Sequence, residues 1–178
     1  MNTTPEFFHT VSIRASFATI WAHLIERIEH PDRHMQELQD FGFDSAADGR
    51  YQRWTSVAGV RLHERISANE RTRRVVFTLV EHPIYQGDMV WQVADKTHSD
   101  GTIDLTCRLL WSFREPGRDM PDLTGVVQQA VLNAKYASEK AEPGFVLAAE
   151  RGEALFQSPE YRAWAGIDEN DPSDDLPN

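Results

Sequence analysis

Cysteine is nearly absent from this chain: Cys107 is the single one in 178 residues. One thiol cannot close an internal disulfide. No stretch of roughly eighteen uninterrupted apolar residues occurs, so nothing in the sequence reads as a membrane span. The N-terminus has neither a basic region nor a long apolar run of secretory type, and a cytoplasmic location is the expectation. Positive charge is also in deficit, with a formal net charge of −10. Asp168, Glu169, Asp171, Asp174 and Asp175 form a tail without Lys or Arg, and residues 1–167 still carry 18 basic against 23 acidic groups, a net of −5. An acidic body and tail repel phosphate backbones and anionic bilayers, which argues against nucleic acid and membrane surfaces as partners. A small molecule or another protein remains, with the chain itself a monomer or homodimer. Repeats, low-complexity tracts, glycine-rich phosphate loops and nucleophile-elbow sequences are missing too.

What is present is an order of hydrophobic periods. Phe7, His9, Val11 and Ile13 alternate as in a half-buried strand over 6–14. Ser16 can cap a helix whose Phe17, Ile20, Trp21, Leu24, Ile25 and Ile28 fall on one stripe, and Pro31 limits its length. Turn signals at Asp48-Gly49, Ala58-Gly59, Asn69-Glu70, His82-Pro83 and Asp100-Gly101 then divide six strands, near 36–46, 50–57, 60–68, 73–81, 86–95 and 103–114. Short turns between consecutive strands make an antiparallel meander the economical topology. In the last strand Ile103, Leu105, Cys107, Leu109, Trp111 and Phe113 share one face, and polar residues occupy the other.

Asp122 can cap a second, long helix striped by Val126, Val127, Ala130, Val131, Ala134, Ala137 and Ala141. A stripe of such small residues either leaves volume for a ligand beneath the helix, lined by Val127 and Val131, or lets helix and sheet approach closely. Pro143-Gly144 should break or kink it. Phe145 to Phe156 reads as a shorter amphipathic segment, and Tyr161, Trp164 and Ile167 suggest a fold back onto the body. The expected division is therefore a domain over 1–144 and a helical extension with an acidic tail over 145–178, which either covers a cavity mouth or makes a protein contact. The fold class is α+β, a curved seven-stranded antiparallel sheet wrapped around a long C-terminal helix.

Glu64 lies on a strand face otherwise made of Val60, Leu62 and Ile66. Turned into a cavity, it is a general acid or base; paired with Arg53 or Arg74 on a neighbouring strand, it is a structural ion pair. His82, beside Pro83 at a strand end, is positioned either to touch a ligand oxygen or merely to make a turn, with Tyr85 and Asp88 as its nearest possible partners. Tyr51, Trp54, Phe77, Trp91 and Trp111 all fall in the meander, either filling a core or stacking on a flat ligand. With Arg53 and Leu109 they complete the candidate ligand-binding set. Cys107, alternating with large apolar residues, reads as a buried small hydrophobe. His30 and His34 have metal-ligand spacing only on a continuous helix, which Pro31 interrupts, and His63-Glu64 lacks the second histidine of a zinc-protease motif. No metal and no cofactor are expected.

The order strand, helix, six strands, long helix resembles the helix-grip (SRPBCC) superfamily of START lipid-transfer domains, birch-pollen-allergen-like plant proteins and bacterial polyketide cyclases, over about residues 6–142. Ile20-Trp21-Ala22-His23-Leu24 is similar to the "vW-x-L" start of that family's first helix, and His30-Pro31-Asp32 falls where the family leaves it. Val60-Arg61-Leu62-His63-Glu64-Arg65-Ile66 with Arg74-Val75-Val76-Phe77 resembles the paired middle strands of its AtaL-like branch, found near secondary-metabolite genes. Residues 145–178 have no counterpart. The resemblance implies a cavity for a hydrophobic or polycyclic small molecule, used for carriage, sequestration or self-protection in natural-product metabolism. Its alternative implication is a cofactor-free cyclase, dehydratase or lyase in which Glu64 moves protons and His82 or Tyr51 orients an oxygen. Fold alone does not choose between them.

Overall fold

A computed structural model of the chain describes residues 5–35 and 38–141, so the expectations for residues 145–178 lie outside the described residues. Phe7–Ile13 forms β1, in which Phe7, His9, Val11 and Ile13 turn inward and Phe8, Thr10 and Ser12 outward. Ser16 ends the extended run and caps α1, Phe17–Glu29, its hydroxyl accepting the Thr19 N–H at 3.1 Å. At the other end the His30 N–H donates to the Glu26 carbonyl at 2.7 Å, and Pro31 opens a 3₁₀ turn, Pro31–Arg33. Ile20, Leu24 and Ile28 are buried, and His23 is buried with them. Three such aliphatic side chains, at about 1.5–3 kcal/mol each, outweigh the cost of about 1–3 kcal/mol for taking one polar group down with them.

Six strands follow: β2 Leu38–Ser45, β3 Arg50–Val57, β4 Val60–Asn69, β5 Arg74–Glu81, β6 Tyr85–Thr97 and β7 Ile103–Phe113. Their ends agree with the periodicity to within two residues. All pairs are antiparallel, in the order β1-β7-β6-β5-β4-β3-β2. Because β1 and β2 occupy opposite edges, α1 and the turn after it must cross the width of the sheet. The β3–β4 reversal uses Ala58 and Gly59, both at positive φ (49° and 78°), the two-residue geometry whose twist matches a hairpin. In β6, Gly87 has φ 123°, and a Cβ there would lie 2.0 Å from the Leu110 carbonyl oxygen, so only glycine lets β6 pass β7 at this point.

The second long helix, α2, spans Thr124–Lys140. Asp122 Oδ1 accepts the Thr124 N–H at 2.9 Å at its start, and the Arg14 N–H donates to Glu139 Oε1 at 3.0 Å near its end, tying α2 to the β1–α1 link. Val127, Val131 and Ala134 are buried in one cluster with Ile20, Leu24, Val93, Leu105, Cys107 and Leu109. Val126 departs from the expected stripe: it is 58% exposed, because the adjacent Val127 takes the core position and the next residue round the helix points away. No helix among the described residues is long and apolar enough to cross a membrane.

Candidate functional site

Strand register fixes which side chains share the inner face. Arg53 is opposite Glu64, and Tyr51 is opposite Ile66. Ile66 is in turn opposite Phe77, Phe77 opposite Met89, and Met89 opposite Leu109. Trp91 is opposite Cys107, and Trp111 opposite Gly87. Tyr51, Arg53, Glu64, Phe77, Trp91, Leu109 and Trp111 therefore lie on the same face as the core. Val127 and Val131 bury against it from α2. Trp54 does not belong to this set. It alternates with the buried Arg53 and Thr55, is opposite His63 and Gly42, and lays its ring where a Cβ on Gly42 would be 2.1 Å away. Period two places it on the outer face, so its expected ligand contact is withdrawn. His63 shares that face, with Nε2 at 2.9 Å from Gln52 Oε1.

Glu64 is inward and 12% exposed, and Arg53 is its partner. Both Nε and Nη2 of Arg53 donate to Glu64 Oε2, at 2.9 and 2.6 Å. Arg53 Nη1 donates to the Arg27 and Ile28 carbonyls at 2.9 and 3.4 Å, capping the end of α1. The guanidinium also lies 5.2 Å from the Phe77 ring centroid. The ion-pair reading of Glu64 is thus realised, while Oε1 receives no hydrogen bond among the described residues.

A second cation, Arg27, rests 5.1 Å from the Trp91 ring centroid. Burial pushes its pKa down to about 10, with the Cys107 thiol opposing and Arg53 adding to the fall. Cys107 itself is fully buried, and burial pushes its thiol up to about 12. Tyr51 is half-buried, and burial followed by the Glu29 charge raises its hydroxyl above the usual phenol range.

At the β5–β6 turn, His82 Nδ1 accepts the N–H groups of Ile84 and Tyr85, each at 3.0 Å. Two donors on Nδ1 put the ring proton on Nε2. Burial and then the Arg114 guanidinium lower the pKa of His82, and the Glu64 charge opposes them. Glu64 and His82, the two expected proton-handling residues, are therefore close enough to act on one another electrostatically. Arg114 fixes the turn by donating Nε to the His82 and Tyr85 carbonyls at 2.7 and 3.1 Å. The Tyr85 and Trp111 rings stack at 5.6 Å and 22°, His82 lies 5.0 Å from Tyr85, and Phe113 lies 5.2 Å from it. Within this aromatic group, Trp111 Nε1 is buried without a hydrogen-bond partner among the described residues. Thr55 Oγ1, on the same inner face, is in the same position.

Sequence reasoning missed the α1 contribution. His23, Glu26 and His34 bring one potential ligand atom each to within 4.8 Å of one another. Burial, then Arg27, then the neighbouring His34 hold His23 down at about 3. Burial, with Arg27 next, holds His34 at about 4 despite opposing carboxylates. Their signal was present in the spacing: His23 and Arg27 sit three residues after Ile20 and Leu24, next to the apolar stripe. A separate open groove of about 300 Å³ lies at the β2–β3 hairpin, lined by Asp44, Ser45, Ala46, Arg50, Tyr51, Gln52 and Arg65.

No protein-family model matches the chain, and no curated protein matches it in sequence. Among solved structures it is similar to the Zhui aromatase/cyclase from Streptomyces sp. R1128, at a TM-score of 0.59 and 20% identity, over 80% of this chain and 99% of that one. A protein from Nitrosospira multiformis gives a TM-score of 0.55 at 14% identity, over 77% and 97% of the two chains. An uncharacterized protein from Bacillus thuringiensis gives 0.51 at 17%, over 77% and 98%. At these identities the likeness speaks for architecture, and with the strand order above it makes this chain a helix-grip α+β domain, a curved seven-stranded antiparallel sheet with a C-terminal helix.

Proposed function

We propose that the inner face binds a flat hydrophobic or polycyclic small molecule bearing a carbonyl or hydroxyl oxygen, and that the protein carries, sequesters or neutralises it in natural-product metabolism. The observation that carries this reading is the buried, partnerless indole N–H of Trp111 within the Tyr85 stack. A buried donor left unpaired costs about 1–3 kcal/mol, and an oxygen on a ring system lying against Tyr85 and Trp111 recovers that cost. The likeness in fold to an aromatase/cyclase supports a small-molecule role without choosing between carrier and enzyme.

The second reading, a cofactor-free cyclase, dehydratase or lyase, draws on the Glu64 charge felt at His82 and on the unengaged Oε1 of Glu64. There Glu64 accepts a proton from carbon while the Nε2–H of His82 steadies an oxygen. Native mass spectrometry of the purified full chain tests the first reading, with a co-purified organic molecule as the expected result. Titration with a hydroxyanthraquinone, followed by tryptophan fluorescence, is the complementary test. A chain that carries no molecule and whose fluorescence the probe leaves unchanged overturns the proposal. Probe turnover that stops in Glu64→Gln while binding persists selects the enzyme.

A further inference from the structure

We infer that His23, Glu26 and His34 form a binding site for a transition-metal dication such as zinc, separate from the Trp111 group. His23 and Glu26 are one turn apart on α1, and Pro31 ends that helix so that the following 3₁₀ turn carries His34 back against it. The two imidazoles meet edge to face, with centroids 5.1 Å apart and planes at 86°. Glu26 Oε2 lies 3.9 Å from His23 Nδ1. His23 is only 8% exposed, and the Nε2 atoms of both rings are buried with no hydrogen-bond partner among the described residues.

A buried His23 and a half-buried His34, each with a buried and partnerless Nε2, carry a cost that a bound ion or water beside the rings would relieve. Two histidines and one carboxylate are the protein donors of an open zinc site, which leaves a fourth position for water. Ligand atoms around a tetrahedral zinc lie roughly 3.3 Å apart. The three observed atoms already lie within 4.8 Å of one another, so modest side-chain rotation would bring them to that spacing. Glu26 is already oriented, because Arg33 Nη1 donates to its Oε1 at 2.5 Å and leaves Oε2 free for the ion.

The neighbouring cations decide which ion fits. Arg27 and Arg33 raise the local potential, which penalises calcium and magnesium, since these are held by carboxylate charge and oxygen. Zinc, cobalt, nickel and copper gain more from imidazole nitrogen and tolerate a lower negative charge. The commonplace alternative is a bridging water between the rings.

The test is a Co²⁺ titration of the tag-free, chelator-stripped full chain, read by visible absorption, followed by displacement with Zn²⁺. The expected result is roughly one equivalent of Co²⁺ with the intense bands of a low-coordinate site. His34→Gln and Glu26→Gln should each weaken binding by at least ~10–100-fold, the loss that removing even an outer-shell partner brings. His30→Gln, an exposed histidine on the other side of Pro31, should leave it unchanged. Both test positions are partly exposed, so the variants should stay folded, which circular dichroism and a melting curve would verify. A wild-type chain that takes up no Co²⁺, or one whose affinity survives both His34→Gln and Glu26→Gln, overturns the site and leaves the water.

Discussion

Arg53 directs two of its nitrogens, Nε and Nη2, at the same oxygen of Glu64, at 2.9 and 2.6 Å. Its third nitrogen reaches the last carbonyls of α1, so one side chain joins β3, β4 and the helix end. Removing one partner of such a buried pair leaves an uncompensated charge, which costs about 3–5 kcal/mol. Arg53→Ala should therefore destabilise the protein by that order in urea unfolding. Glu64→Gln should cost less, because the amide oxygen still accepts from the guanidinium. A loss below about 1 kcal/mol for Arg53→Ala would place the pair in solvent and contradict its burial.

The inner wall separates two tryptophans that composition treats alike. Trp111→Phe keeps the ring stacked on Tyr85 and removes only the N–H, so hydroxyanthraquinone affinity should fall by about 1 kcal/mol, roughly fivefold. Trp54→Phe, on the outer face, should leave affinity unchanged. Equal effects of the two substitutions would show that the probe does not sit where the indole N–H of Trp111 points.

These two tryptophans also show how much of the site was legible. Elements and strand ends were readable because period two and period 3.6 are written directly in Ile103 to Phe113 and in Phe17 to Ile28. Face assignment was not readable for Trp54, because β3 alternates Arg53 and Thr55 inward and no apolar rhythm marks its inside. The polar strip on α1 was hidden for a related reason. His23 and Arg27 flank the apolar stripe, and only the fold shows that this flank turns inward against Trp91. His34 was set aside because Pro31 breaks the helix between it and His30, yet the same break folds it onto His23.

Cys107 sits between Leu105 and Leu109 with no exposed surface. Burial drives its thiol to about 12, with Arg27 only partly opposing, so almost no thiolate forms at neutral pH. A thiol-specific reagent at about pH 8, near the ordinary cysteine pKa, should label the native chain only at the rate of global unfolding. In denaturant it should label at once. Rapid labelling of the native chain would mean that the sheet opens locally at β7, contrary to the core packing.

His82 offers a pH test confined to one turn. Its Nδ1 accepts two backbone N–H groups, and protonation of that nitrogen removes both hydrogen bonds at once. Burial and Arg114 outweigh Glu64 and hold the folded pKa below the ordinary value, so the unfolded chain takes up the proton first. The contribution of this turn to stability is therefore complete above about 6.5 and is lost as pH falls through the folded pKa. Amide exchange at Ile84 and Tyr85, corrected for intrinsic rates, should lose protection as pH is lowered from about 7 through the folded pKa of His82, which lies below about 6.5. Protection along β7 should persist over that range. In His82→Phe the two amides should be unprotected at every pH. Flat profiles for the wild type, or loss of protection across the whole sheet, would rule out His82 as the clamp of the β5–β6 turn.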